Sequence, residues 1–165
     1  DSVVARGQFN TVWHKTENGD WKFLLDMGVS KTPDFASKTF AFPDHKIDFT
    51  PGTMEELLKA EEQLVKNAKE SANRNKSYTE ALSKHAFLLV RNGHLPTTAV
   101  SEIEPLFTSM PLSIDYQQEG AVMAKSGDLG YVYGTTTIGG KDDNYLRVWR
   151  REGNEWKLVL EVLQY

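Results

Sequence analysis

The chain has 165 residues, with 19 Lys and Arg against 23 Asp and Glu, a net charge of −4 and no cysteine. Disulfides, thiolate metal sites and cysteine nucleophiles are therefore excluded, and the lack of any long basic block argues against a nucleic-acid partner. Every apolar run falls short of the ~18 residues of a spanning helix, so membrane insertion is not expected, and the length suits one domain with a sizeable core or one domain plus a fragment.

An internal echo organises the chain. Residues 9–28 read FNTVWHKTENGDWKFLLDMG and residues 145–163 read YLRVWRREGNEWKLVLEVL. With one gap at Thr16, Val12–Trp13 aligns with Val148–Trp149, Trp21–Lys22 with Trp156–Lys157, and Leu25–Asp26 with Leu160–Glu161. Each segment sets a polar turn between two β-rich runs, Glu17–Asn18–Gly19–Asp20 in the first and Glu152–Gly153–Asn154–Glu155 in the second, which is the pattern of a hairpin. The reading is a duplication. Residues 1–30 form the terminal hairpin of an upstream repeat, and the start at Asp1 rather than Met fits removal of something ahead of it. A lone hairpin is marginal in water, so this one is expected to pack on the main domain, on a neighbouring chain or along a sheet edge.

Residues 31–51 form a connector. Pro33, Pro43 and Pro51 interrupt any helix, while Phe35, Phe40, Phe42 and Phe49 are too apolar for a free linker, which predicts an ordered path along a domain surface. The complete domain spans residues 52–165. Thr53 and Glu56 have capping-box spacing, and Met54, Leu57, Leu58, Glu61, Leu64, Val65 and Ala68 recur at helical spacing with Glu61 at the edge of the stripe. A second box at Ser77 and Glu80 predicts a short helix to about Lys84. Phe87–Val90 reads as a buried strand, Asn92–Gly93 as a hairpin turn leading to a short strand around Leu95, and Val100, Ile103 and Phe107 as a third helix.

After Pro111 the period changes to two. Leu112, Ile114 and Tyr116 share one face, Glu119–Gly120 reads as a bulge, and Ser126–Gly127–Asp128 and Gly139–Gly140 as turns. Strands beginning at Tyr131, Asn144 and Trp156 complete a meander. Gly130 and Gly134 alternate with Val132 on one face, where a neighbouring element is expected to approach closely. The fold class is α+β, a cone-shaped curved antiparallel sheet wrapped around a long N-terminal helix, with the extra hairpin of a partial second copy ahead of it.

This order of elements resembles the nuclear transport factor 2-like superfamily, which includes SnoaL-like cyclases, ketosteroid isomerase and scytalone dehydratase. The resemblance is carried by KAEEQLVKNAKES in the long helix, FLLVRNGHLP at 87–96, KSGDLGYVYGTTTI at 125–138 and YLRVWRREGNEWKLVLEVL at 145–163. The last two strings are similar to a bacterial branch without an assigned function. The resemblance implies a pocket at the mouth of the cone and a homodimer formed through the convex sheet face. It also points to export or a periplasmic location. A fold of this kind hosts enzymes and binding proteins alike.

Isomerase-like relatives carry a carboxylate on the first strand of the domain. Here that stretch, Phe87–Arg91, has none, and the departure argues against their mechanism. Dehydratase-like relatives use a His–Asp pair with tyrosines. His85 and His94 flank the first strand and Asp115 sits on the third, and a histidine held by a carboxylate is a usable acid or base near neutral pH; the bland alternative for His85 is an exposed helix-end side chain. His94 is a candidate rim residue beside the Asn92–Gly93 turn. Arg91, the charge directly after an apolar strand, is either an anion-binding group or a snorkelling strand-end residue. Tyr116, Tyr131, Tyr133, Tyr145 and Trp149 are strand aromatics, mostly core or interface, of which one or two would line a pocket. Arg147, Arg150 and Arg151 read as a partly solvated strand face, and Lys157 and Glu161 as a pair. No metal-ligand spacing or phosphate loop is present, and no cofactor is expected. The functional expectation is a small-ligand binding or association domain without catalysis, taking a small apolar or aromatic molecule. The alternative is a cofactor-independent lyase, isomerase or dehydratase of SnoaL-like type.

Overall fold

The computed structural model describes residues 7–30 and 46–165. Two strands come first, β1 (Gly7–Lys15) and β2 (Trp21–Ser30), paired as a separate antiparallel hairpin. Then follow helices α1 (Met54–Ala68) and α2 (Ser71–Ala81), strand β3 (Leu88–Arg91), one turn of 3-10 helix leading into α3 (Ile103–Thr108), and strands β4 (Asp115–Met123), β5 (Leu129–Ile138), β6 (Lys141–Glu152) and β7 (Glu155–Leu163). The last four strands form the expected antiparallel meander. Strand β3 adds to its edge parallel to β7, giving the order β3-β7-β6-β5-β4 and a mixed curved sheet. Fold class α+β is as the patterning predicts.

Local chemistry explains most element ends. Thr53 and Glu56 close the capping box of α1: Glu56 N–H donates to Thr53 Oγ1 at 3.2 Å, and Thr53 N–H donates to Glu56 Oε2 at 2.8 Å, which satisfies two otherwise orphaned donors. The α1 stripe then buries Leu57, Leu64 and Ala68 in the concave face of the sheet against Val132, Trp149 and Leu158. Gly130 permits that approach, because a Cβ there would lie 2.5 Å from Leu57 Cδ2. The bulge falls between Gln118 and Gly120.

Several expectations are corrected. The second helix runs over Ser71–Ala81 and does not begin at Ser77, whose hydroxyl donates to the Asn73 carbonyl at 2.8 Å inside the helix. A serine bonded back to the preceding turn is not available as a cap. After Asn92–Gly93 only a single bridge, Leu89 to Thr97, continues the sheet, since Pro96 offers no N–H to a ladder. Leu112 is exposed, ahead of the first residue of β4, so it does not share the buried face of Ile114. Of the connector, Pro33, Phe35, Phe40, Phe42 and Pro43 lie outside the described residues. Its end is ordered: Thr50 N–H donates to the Gly153 carbonyl at 2.9 Å, and Gly153 N–H to that of Asp48 at 2.8 Å.

The hairpin packs on the opposite, convex face of the sheet. Met27 and Val29 are buried there with Val90, Tyr131, Leu146 and Val162. Polar ties fix its end: Ser30 N–H donates to Asn92 Oδ1 at 3.0 Å, and Gln164 Nε2 to the Gly28 carbonyl at 2.5 Å. The face that the family resemblance marks for dimerisation thus receives a hairpin of the same chain.

Candidate functional site

The interior of the cone holds charge. Strand alternation puts Tyr145, Arg147 and Trp149 of β6 on the concave face, and Glu161 of β7 stands opposite Arg147 in the ladder. Helix α1 supplies Glu61 from its buried stripe, α2 supplies Tyr78, and β3 supplies Arg91 from its last position. All of these side chains are buried.

They form one connected network. Arg147 Nη1 donates to Glu61 Oε1 at 2.5 Å and Arg147 Nε to Glu161 Oε2 at 2.5 Å. Arg91 Nη2 donates to Glu161 Oε1. The Tyr78 hydroxyl lies 2.6 and 2.7 Å from the two oxygens of the same carboxylate, and Trp149 Nε1 donates to Glu61 Oε2 at 2.9 Å. The rings of Tyr116 and Tyr145 pack edge to face, and the Arg147 guanidinium lies 4.4 Å from the centroid of Tyr116. Two arginines and two glutamates alternate, so the formal charge of the group is zero. Every carboxylate oxygen in it accepts a hydrogen bond, and within this network Arg91 Nε is left without a partner.

The electrostatics follow from burial opposed by pairing. Burial would raise the Glu161 carboxyl, but Arg91, Arg147 and the Tyr78 hydrogen bond outweigh it and hold the pKa below the ordinary carboxylate value. Burial would likewise lower Arg147; Glu61 and Glu161 reverse it and keep the guanidinium charged. Tyr78 is pushed well above the usual phenol value by burial and by the neighbouring Glu161. Burial raises Tyr116 despite Arg147, and raises Tyr145 with help from Glu61. A carboxylate held as a charged acceptor by two guanidiniums has neither a proton to give nor a lone pair to spare for an acid–base step.

Of the residues singled out from the sequence, the structure brings Arg91, Tyr116, Tyr145 and Trp149 together in this network. Arg91 pairs with the chain's own Glu161, and it is buried rather than snorkelling. Tyr131 and Tyr133 lie on the convex side, stacked at 6.2 Å beside the hairpin. His85, His94 and Asp115 have three different settings. Asp115 pairs with Lys69 at 2.6 Å in solvent, His85 Nε2 is 3.9 Å from Glu152, and His94 Nε2 meets Ser109 Oγ at 3.3 Å. His94 rims a shallow cleft of about 260 Å³ with Leu95, Pro96 and Glu102.

Sequence reading missed Glu61, Tyr78, Arg147 and Glu161 as site residues. Arg147 and Arg151 are buried, not partly solvated; Glu161 pairs with arginines, and Lys157 with Glu155 at 2.9 Å. The available signal was alternation: Arg147 lies between Tyr145 and Trp149 on one strand face. Among the described residues a further cleft of about 560 Å³ lies outside the cone, between the hairpin and β4–β5, with Trp13, Trp21, Leu24, Val122, Leu129 and Tyr131 among its walls. No helix of the described residues is long and apolar enough to cross a membrane.

No protein-family model and no curated protein matches the chain. Solved structures do. A protein of unknown function with a cystatin-like fold from Nostoc punctiforme aligns with a TM-score of 0.55 at 12% identity, over 70% of this chain and 94% of that one. An NTF-2 like protein of unknown function from Shewanella oneidensis aligns at 0.51 and 12% identity, over 66% and 99%. Another from Pseudomonas putida aligns at 0.51 and 11% identity, over 65% and 82%. At such identities the likeness establishes architecture: the chain has the nuclear transport factor 2-like, cystatin-like fold.

Proposed function

We propose that this chain is a non-catalytic association module. The observation that carries the reading is the buried network inside the cone, where Arg91, Glu161, Arg147 and Glu61 pair with one another. A ligand entering there would have to leave buried charges unpaired, at a penalty of several kcal/mol per ion. The dehydratase alternative needs His94, His85 or Asp115 pointing inward beside a tyrosine, and the three lie against Ser109, Glu152 and Lys69.

The working surface is then the convex sheet face, lined by Val90, Tyr131, Leu146 and Val162. It receives a two-stranded hairpin, here β1–β2 of the same chain, so the homodimer surface implied by the family resemblance is filled from within. Sedimentation tests this. The full chain is expected to run as a monomer, and residues 46–165 alone are expected to associate through the uncovered face, with Leu146→Asp abolishing that association. A full chain that dimerises with the hairpin in place, or a shortened chain that stays folded and monomeric, would overturn the reading.

The expectation of a small apolar or aromatic ligand has a different location available, the cleft between the hairpin and β4–β5. Its apolar walls suit such a molecule. Binding of small aromatics that Leu129→Glu removes would support this second reading; binding unaffected by Leu129→Glu would refute it.

A further inference from the structure

The two hairpins of the chain share one register. Phe9 faces Gly28 as Tyr145 faces Leu163, Val12 faces Leu25 as Val148 faces Leu160, and Lys15 faces Trp21 as Arg151 faces Trp156. Both ladders slip at the same step, between Val12 and Trp13 and between Val148 and Trp149. Both set a cation over the facing indole, Lys15 at 6.0 Å from the Trp21 centroid and Arg151 at 5.7 Å from that of Trp156. A side-chain hydrogen bond also recurs: Thr11 Oγ1 donates to Asp26 at 2.8 Å where Arg147 Nε donates to Glu161. The turns differ in length, Thr16–Asp20 in one and Gly153–Asn154 in the other. Turn geometry therefore does not dictate the common bulge.

Burial of the two hairpins is opposite on one face only. The outer-face residues Val12, Leu25 and Met27 are packed against the convex sheet, as their counterparts Val148, Leu160 and Val162 are packed against them. The inner-face residues differ. Tyr145, Trp149, Trp156 and Leu158 are at most 6% exposed beneath the helices, whereas their counterparts Phe9, Trp13, Trp21 and Phe23 are 55–77% exposed. Aromatic side chains of this size on one face of a two-stranded ribbon make a patch of the kind that marks a contact surface.

We propose that the face bearing Phe9, Trp13, Trp21 and Phe23 is the inner wall of a first copy of this fold, and that its occupant is the amphipathic helix of that copy. That helix would belong to the same polypeptide ahead of residue 7 and would seat on β1–β2 as Met54–Ala68 seats on β6–β7. Its chemistry is fixed by the wall. An apolar stripe equivalent to Leu57, Leu64 and Ala68 covers the aromatics, and an acceptor in the place of Glu61 takes the Trp13 indole N–H. Because Thr11 stands where Arg147 does, Asp26 already has its partner and the first copy needs no four-charge network. The complete molecule is then a tandem pair of cones packed convex face to convex face. This concerns the aromatic face of β1–β2 and not the convex sheet face, so it stands or falls apart from the association proposed above, although Trp13 and Trp21 also wall the cleft of the second reading.

The test compares the 165-residue chain with the protein extended upstream through its natural reading frame. The readout is oxidation of each tryptophan by N-bromosuccinimide, followed by peptide mass spectrometry. In the 165-residue chain Trp13 and Trp21 should react while Trp149 and Trp156 stay protected. In the extended protein the reactivity of Trp13 and Trp21 should fall to that of Trp149. Three results would overturn the proposal: unchanged reactivity in the extended protein, a reading frame with no upstream helix-and-strand segment, or protection of the 165-residue chain alone as its concentration rises, which would make a second copy the occupant.

Discussion

Glu161 accepts from Arg91, Arg147 and Tyr78 with no water-facing atom. Removing its charge would leave two buried guanidiniums sharing only Glu61. Glu161→Gln, nearly isosteric, is therefore expected to lower unfolding stability by about 3–5 kcal/mol, measured by urea denaturation; a loss below ~1 kcal/mol would mean that the network is hydrated. The same residues set both pH limits. Glu161 has a depressed pKa when folded, so its contribution is complete above the unfolded value near ~4.3 and is lost as pH falls through the folded value. Tyr78, Tyr116 and Tyr145 have raised pKa values. The unfolded chain releases their protons near about pH 10 while the folded chain retains them, so stability falls as pH rises beyond that. Tyrosinate absorbance should accordingly appear together with loss of the far-ultraviolet circular dichroism signal, except for the more accessible phenols. Reversible ionisation of all six tyrosines in the folded chain would contradict this.

Between elements, α1 approaches β5 closely at Gly130. A methyl group there would meet Leu57 Cδ2 at 2.5 Å and the Val122 carbonyl oxygen at 3.1 Å. Gly130→Ala should destabilise by about 1–3 kcal/mol through overpacking, measured by thermal unfolding, whereas Gly139→Ala, with open space around its Cβ position, should act only through its positive φ. This contact was legible in the sequence, as were the capping box and the bulge at Gly120, because each is written in a few adjacent residues. The start of α2 was not. Ser77 and Glu80 have capping spacing, but the buried Arg74, bonded to the Ala68 and Leu112 carbonyls, anchors the turn that precedes them. The parallel pairing of β3 with β7 was equally hidden, since a strand as short as Leu88–Arg91 has no local signal for a partner some seventy residues away.

At the scale of the whole molecule, the fold was readable and the site was not. Tyr145, Arg147 and Trp149 alternate onto one strand face, yet a charge between aromatics reads as solvated because unpaired charges are almost never buried. Only the joint arrival of Glu61 from α1 and Glu161 from β7 makes burial of Arg147 tolerable, and that is a property of tertiary structure. His85, His94 and Asp115 looked like a site because they are the residue types of acid–base chemistry, and the fold separates them. The same burial that fills the network inside the cone underlies the association proposed for its outer face. The most direct test is the Trp149 indole N–H resonance, which reports on Glu61 from the centre of the network. It is predicted to exchange with solvent only on global unfolding, and to keep its chemical shift when the chain is titrated with small apolar and aromatic molecules. Rapid exchange together with a ligand-induced shift would show an open, occupiable interior and would contradict the account.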